Sequence, residues 1–168
     1  VIGDMPYESY QVNPEESVKN ATRFINEAKC DAVKLEWFDK CLEVTEKIIK
    51  AGIPVMGHIG LTPQTADKIG GFKVQGKDAE AAKRLIEQAL ALEKLCCFSI
   101  VLECVPDKIA EMITKKLKIP SIGIGAGIHC DDRFWLPTIF WDSLSVLLPN
   151  LSKNILIFRP DIRGAGKL

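Results

Sequence analysis

The chain has 168 residues, 47% of them hydrophobic, with 22 basic and 22 acidic side chains. This suits one globular domain with a sizeable core, expected here to run over 1–168. The even charge argues against broad capture of nucleic acid or an anionic membrane surface. No apolar run approaches the roughly 20 residues needed to span a bilayer. The six cysteines, at 30, 41, 96, 97, 104 and 130, show no CxxC spacing. They read as buried thiols in a reducing compartment, not as a disulfide or zinc framework. The chain opens at Val1 inside what reads as a strand. The amino-terminal part of a longer protein is therefore expected upstream, and targeting is not legible from these residues.

Short apolar runs alternate with amphipathic stretches. The first run is VIG at 1–3. Asn13 then caps a predicted helix with Pro14 at its first position, Glu15 and Glu16 in its first turn, and Val18, Ala21, Ile25 and Ala28 on one face. A strand follows at 31–36 (DAVKLE). Asp39 is placed to cap a second helix, with Leu42, Thr45, Ile48 and Ile49 along its side. The third strand is predicted at 53–57 (IPVMG). A third helix spans about 78–95, with Ala82, Leu85, Ile86, Ala89 and Leu92 inward. A strand at 98–105 (FSIVLECV) leads to Pro106, which opens a fourth helix carrying Ile109, Met112, Ile113 and Leu117. Further strands are predicted at 121–124 (SIGI) and 143–148 (SLSVLL). Such short apolar runs suggest strands buried on both faces, and their alternation with helices predicts a parallel α/β sheet, open or closed into a barrel.

In this register the polar residues collect at strand ends. Asp4 follows the first strand, Lys34 and Glu36 close the second, His58 the third, Glu103 the fourth, and Gly125-Ala126-Gly127 the fifth. The carboxyl ends of strands are where α/β folds of either kind build their sites. Each residue also has a structural reading. Glu103 suits an internal ion pair, Asp4 a turn or cap, Lys34 with Glu36 a surface pair, and His58 a hydrogen-bonded core histidine. GIGAG at 123–127 lacks the G-x-G-x-x-G spacing and reads as a tight turn; the terminal GAGKL lacks the rest of a P-loop. Lys115, Lys116 and Lys118 suit the dipole at a helix end, not a nucleic-acid site.

Six segments carry a resemblance. GDMPYESY (3–10), AVKLE (32–36), GHIGLTPQ (57–64), GGFKVQG (70–76), VLECVP (101–106) and IPSIGIGAG (119–127) occur in this order. Together, over about residues 1–131, the chain resembles the ketopantoate hydroxymethyltransferases (3-methyl-2-oxobutanoate hydroxymethyltransferases). The resemblance implies a (β/α)8 TIM-barrel type fold, present as an incomplete barrel comprising the family's strands 3 to 8. It implies hydroxymethyl transfer from 5,10-methylenetetrahydrofolate to 3-methyl-2-oxobutanoate, with Mg2+ assisting enolisation, in pantothenate biosynthesis. It also implies a homo-oligomer, a decamer in the family, in the cytoplasm, or in mitochondria if the source is eukaryotic. By the same resemblance Asp4 is a metal ligand and Glu36 a carboxylate at or beside the metal. Lys34 pairs with the substrate carboxylate, His58 contacts substrate, and Glu103 is the catalytic acid/base. The partners are then a small keto acid and a folate, with no nucleic acid and no membrane.

Departures favour a second reading. The family's Asp-Ser pair, whose aspartate is the other metal ligand, belongs to a strand expected before Val1. Where the family has KLEGG, this chain has KLEWF, so Trp37 and Phe38 are expected to crowd the site. Two Gly-Ala turns are replaced by Lys29-Cys30 and Cys96-Cys97, and the chain diverges after about residue 131. An inactive, truncated homologue that only binds or assembles is one alternative. Another magnesium-dependent keto-acid barrel, of the phosphoenolpyruvate mutase and isocitrate lyase group, is the other.

Overall fold

The computed structural model describes residues 1–11, 13–65, 74–134 and 156–158. After β1 (Ile2–Asp4) and a short 3-10 turn at Tyr7–Ser9, Asn13 takes an extended backbone and accepts from Glu16 N at 2.8 Å. Pro14 has no N–H to lose at the first position, so α1 (Pro14–Asn26) starts where the sequence predicts. β2 (Ala32–Glu36) leads into α2 (Cys41–Lys50), where the expected Asp39 cap is not formed. Lys40 occupies the cap position without a side-chain bond, and Cys41 N instead donates to Phe38 O at 2.9 Å. A backbone turn thus replaces the side-chain cap. β3 (Val55–Gly60) is followed by α3 (Ala79–Lys94), capped by Asp78 through Ala81 N. β4 (Ser99–Glu103), α4 (Asp107–Lys116) behind Pro106, and β5 (Ser121–Ile124) complete the predicted alternation.

Among the described residues one sheet holds every strand, with β6 (Asp132–Arg133) and β7 (Leu156–Phe158) added, in the order β6-β5-β4-β3-β2-β1-β7. β1 to β6 pair in parallel in chain order, with α1 to α4 as the crossovers from β1 to β5 and a loop from β5 to β6, forming the arc of an incomplete (β/α)8 barrel. Two strands escape the sequence pattern. β6 (Asp132–Arg133) is too short and polar to signal itself, and β7 (Leu156–Phe158) pairs antiparallel with β1, whereas a closed barrel of this type is all parallel. The strand expected at 143–148 lies outside the described residues.

Alternation along the strands sorts the side chains. Val33, Leu35, Val55, Ile59, Ile100 and Leu102 belong to the main hydrophobic core, with Ala21 and Phe24 of α1, Ile48 of α2, Leu92 of α3 and Ile113 of α4. Gly3 and Gly57 share this helix-facing side: a Cβ on Gly3 would strike Phe24 at 2.3 Å, and one on Gly57 would strike Leu92 at 2.8 Å. Asp4, Lys34, Glu36, His58 and Glu103 therefore lie on the opposite side, where a barrel has its interior. The predicted helix stripes are slightly rotated. In α1 the buried residues are Ser17, Ala21 and Phe24, while Val18 and Ile25 are half-buried. Ser17 enters the core because its hydroxyl donates to the carbonyls of Tyr10 and Asn13. In α2 Leu42 is exposed, and in α4 Met112 is exposed while Ala110 faces inward.

The two replaced turns carry strain. Lys29 has φ 55° and Cys96 φ 69°, the left-handed region that glycine occupies freely. Each leads directly into a buried cysteine, Cys30 or Cys97, so the packing holds the turn in place. Lys29→Gly and Cys96→Gly are each expected to stabilise the chain by about 1 kcal/mol, raising the melting temperature by roughly 3 °C. Thermal denaturation followed by circular dichroism checks this, and a loss of stability in both would contradict it.

Candidate active site

Asp4, Glu36 and Glu103 are the last residues of their strands. His58 is not: β3 runs on to Gly60, so His58 lies two residues inside. The register sets Asp4 beside Lys34, Glu36 beside His58, and Gly60 beside Glu103. Gly60 has φ +93°, and a Cβ there would sit 2.2 Å from the Glu103 carbonyl, so this close strand exit requires glycine.

Four of the five side chains meet directly, and Glu36 is coupled to Lys34, Asp4 and Glu103 through its charge. Lys34 Nζ lies 2.7 Å from Asp4 Oδ1 and 3.3 Å from His58 Nδ1. His58 Nε2 lies 3.1 Å from Glu103 Oε2. Asp4 Oδ1 and His58 Nε2 are nevertheless buried without a hydrogen bond of good alignment, so both contacts are close in distance but off-axis. An ammonium can only donate, so Nδ1 of His58 accepts and the ring proton of the neutral imidazole is assigned to Nε2, facing Glu103. Burial, and next the Lys34 charge, push the His58 pKa down to about 3. The ring is therefore neutral near neutrality.

Glu36 is 2% exposed. Its carboxylate accepts from Gln64 N at 3.2 Å, and its own N–H donates to the Tyr10 hydroxyl at 3.3 Å. Burial pushes its pKa up to about 7; Lys34 pulls it back, and the charges of Asp4 and Glu103 add to the rise. Burial likewise pushes Glu103 up to about 7, against the pull of Lys34. Tyr10, fully buried, is also raised, by burial first and the Glu36 charge second.

Tyr10 and Gln64 are the two contributors that residue-type reasoning passed over. Both lie in the segments that carry the resemblance, GDMPYESY and GHIGLTPQ, but neither is an acid, a base or a metal ligand of the usual kind. Beside the cluster, a cleft of about 540 Å³ is lined by Tyr7, Trp37, Phe38, Thr62, Gln75 and Arg84 among others, and by none of the five clustered residues. Phe38 does not lie free in the mouth. Its ring packs edge-on against Tyr7 and Tyr10, with centroids 6.3 and 5.4 Å apart. All six cysteines are free thiols.

A model of the ketopantoate hydroxymethyltransferase family matches residues 1–162. The chain belongs to this family. The 3-methyl-2-oxobutanoate hydroxymethyltransferase of Syntrophomonas wolfei is 54% identical over 79% of this chain and 48% of its own length. That of Enterococcus faecalis is 56% identical over 79% and 48%, and that of Heliobacterium modesticaldum 46% identical over 98% and 60%. The chain thus spans about half the length of the curated ketopantoate hydroxymethyltransferases it matches. Among solved structures, an isomerase from Streptomyces coelicolor has a TM-score of 0.49 at 15% identity, covering 73% of this chain and 32% of its own, too loose a likeness to argue from.

Asp4 and Glu36 carry oxygen donors of the kind that could hold a magnesium ion. Three carboxyls face one ammonium, two are driven toward neutrality by burial, and Asp4 Oδ1 has no aligned hydrogen bond. Among the described residues no three His, Cys, Asp or Glu side chains form a full ligand group. Magnesium does not need one, since it retains several waters and takes one or two carboxylates.

The raised acids set a pH dependence. A carboxyl whose folded pKa exceeds its unfolded value of 4.5 contributes stability below that value and loses it as pH rises to about 7. In chelator-containing buffer, the melting-temperature difference between Glu103→Gln and the native chain should shift in favour of the variant from pH 4.5 to 7, then level off. A flat difference across that window would remove the raised pKa.

Proposed function

We propose that this chain forms part of a one-carbon transferase that uses water and 5,10-methylenetetrahydrofolate to add a hydroxymethyl group to 3-methyl-2-oxobutanoate, giving 2-dehydropantoate. The observation that carries this reading is one buried group at the strand ends: a carboxyl poised near neutrality, Glu103, beside a neutral imidazole and a lysine. Family membership supports the same chemistry.

Asp4 and Glu36 would hold Mg2+, which when bound supplies a Lewis acid for the negative charge developing on the keto oxygen. Lys34, which pairs with Asp4, turns its ammonium to the substrate carboxylate. Glu103 as carboxylate removes the C3 proton; its raised pKa suits proton transfer near pH 7. His58 presents its Nε2–H toward Glu103 and the substrate oxygens, orienting both. Water releases the methylene carbon from the folate as formaldehyde, leaving tetrahydrofolate, and the carbanion adds to that carbon, whose oxygen takes up a proton to become the hydroxyl group. The sheet buries Glu36, His58 and Glu103 on its inner side, which limits competing protonation by bulk water.

We further propose a homo-oligomer, as membership of the family suggests. No described helix is long and apolar enough to cross a membrane. The bacterial relatives support a cytoplasmic location.

Two substitutions test the roles. Glu103→Gln should slow magnesium-dependent deuterium exchange at C3 of 3-methyl-2-oxobutanoate by about 10²–10⁴-fold while circular dichroism stays native; exchange at the native rate sinks the assignment. Lys34→Met should raise KM for the keto acid by about 10- to 100-fold. An unchanged KM would move the substrate carboxylate elsewhere.

A further inference from the structure

Gln64 is exposed, in the turn after β3, yet it reaches two parts of the carboxylate cluster at once. Its Oε1 accepts from Tyr7 N at 2.7 Å, and its Nε2 donates to Met5 O at 3.1 Å. Met5 directly follows Asp4, and Met5 N continues the β1–β2 ladder by donating to Lys34 O at 3.1 Å. The backbone N–H of Gln64 meanwhile donates to Glu36, 3.2 Å from Oε2 and 3.5 Å from Oε1. One residue from the β3 exit therefore spans the end of β2 and fastens the exit of β1.

We infer that Gln64 is a positioning residue for the paired carboxylates: its side-chain amide clamps the backbone beyond Asp4 while its own N–H holds Glu36. The side chain has the chemistry this requires. A primary amide offers an acceptor and donors on one planar group, matching a backbone N–H and a nearby backbone C=O. Glutamate keeps the acceptor but has no donor for Met5 O, and it would bring a further carboxylate to a cluster already short of cations. Asparagine is one methylene shorter. Leucine keeps the size but makes neither bond. Because Gln64 lies outside the hydrophobic core, its replacement removes the clamp without opening a cavity.

The clamp itself is read from this structure. Only its effect on the metal requirement rests on the function proposed above. The test combines two readouts on the native chain, Gln64→Leu and Gln64→Asn. Amide hydrogen exchange at Tyr7 reports the clamp directly. It should accelerate about tenfold in Gln64→Leu and less in Gln64→Asn, with the melting temperature within about 4 °C of native. The magnesium concentration for half-maximal deuterium exchange into 3-methyl-2-oxobutanoate should rise about tenfold in Gln64→Leu and be partly restored in Gln64→Asn. Unchanged Tyr7 exchange overturns the clamp. Faster Tyr7 exchange with an unchanged magnesium requirement overturns the positioning role. If the native chain shows no keto-acid exchange at any magnesium concentration, the proposed function falls, and Tyr7 exchange alone then decides the clamp.

Discussion

Lys34 is the charge on which the cluster depends. Its ammonium touches Asp4 and His58 and lowers the proton affinity of both buried glutamates and of the histidine. With it present, three carboxyls from three strands can share a small buried volume. A buried carboxyl either finds a cation or takes a proton, and here both solutions operate at once. Glu36 and Glu103 are raised only part of the way because Lys34 opposes the burial that raises them. The same charge, by occupying Nδ1 of His58, decides which ring nitrogen faces Glu103.

The fold delivers these groups through parallel register. Asp4 and Lys34 are direct partners across β1 and β2, and Glu36 and His58 across β2 and β3. Glycines facing the helices at positions 3 and 57 let α1 and α3 seat closely against the sheet. The chain tolerates departures around this frame. Lys29 and Cys96 hold left-handed turns that favour glycine, fixed by the burial of Cys30 and Cys97. Phe38, where the resembled pattern has glycine, takes its place in a ring cluster with Tyr7 and Tyr10. Tyr10 in turn supports the backbone of Glu36 through its hydroxyl.

Much of this was legible residue by residue. Asn13 with Pro14 marked a helix start because capping is a local matter between residues two or three apart. Asp39 followed the same rule and failed, since the preceding turn closed on a backbone bond from Cys41 to Phe38. Acids at the ends of apolar runs pointed to the cluster, because a charge is tolerated there only where strand ends open onto a site. Gln64 was not legible as a participant. Its bonds reach back 57 and 59 residues in sequence, and no local pattern encodes such a reach. The short strands β6 and β7 were missed for a similar reason: two or three residues carry too little periodicity, and only a partner strand makes them strands.

By itself the sequence determined the order of β1 to β5 and the helices between them, the side of each helix that turns inward to within about one residue, and that Asp4, Glu36 and Glu103 stand at strand ends. These follow from local propensity and from periodicities of 2.0 and 3.6 residues, which act over a few positions. The tertiary structure alone decided that Lys34 bridges Asp4 and His58, that burial brings Glu36 and Glu103 near neutrality, and that Gln64 ties the exits of β1 and β3 across Glu36. Those outcomes depend on desolvation and on distances between residues remote in the chain, and both come into being only when the strands pair.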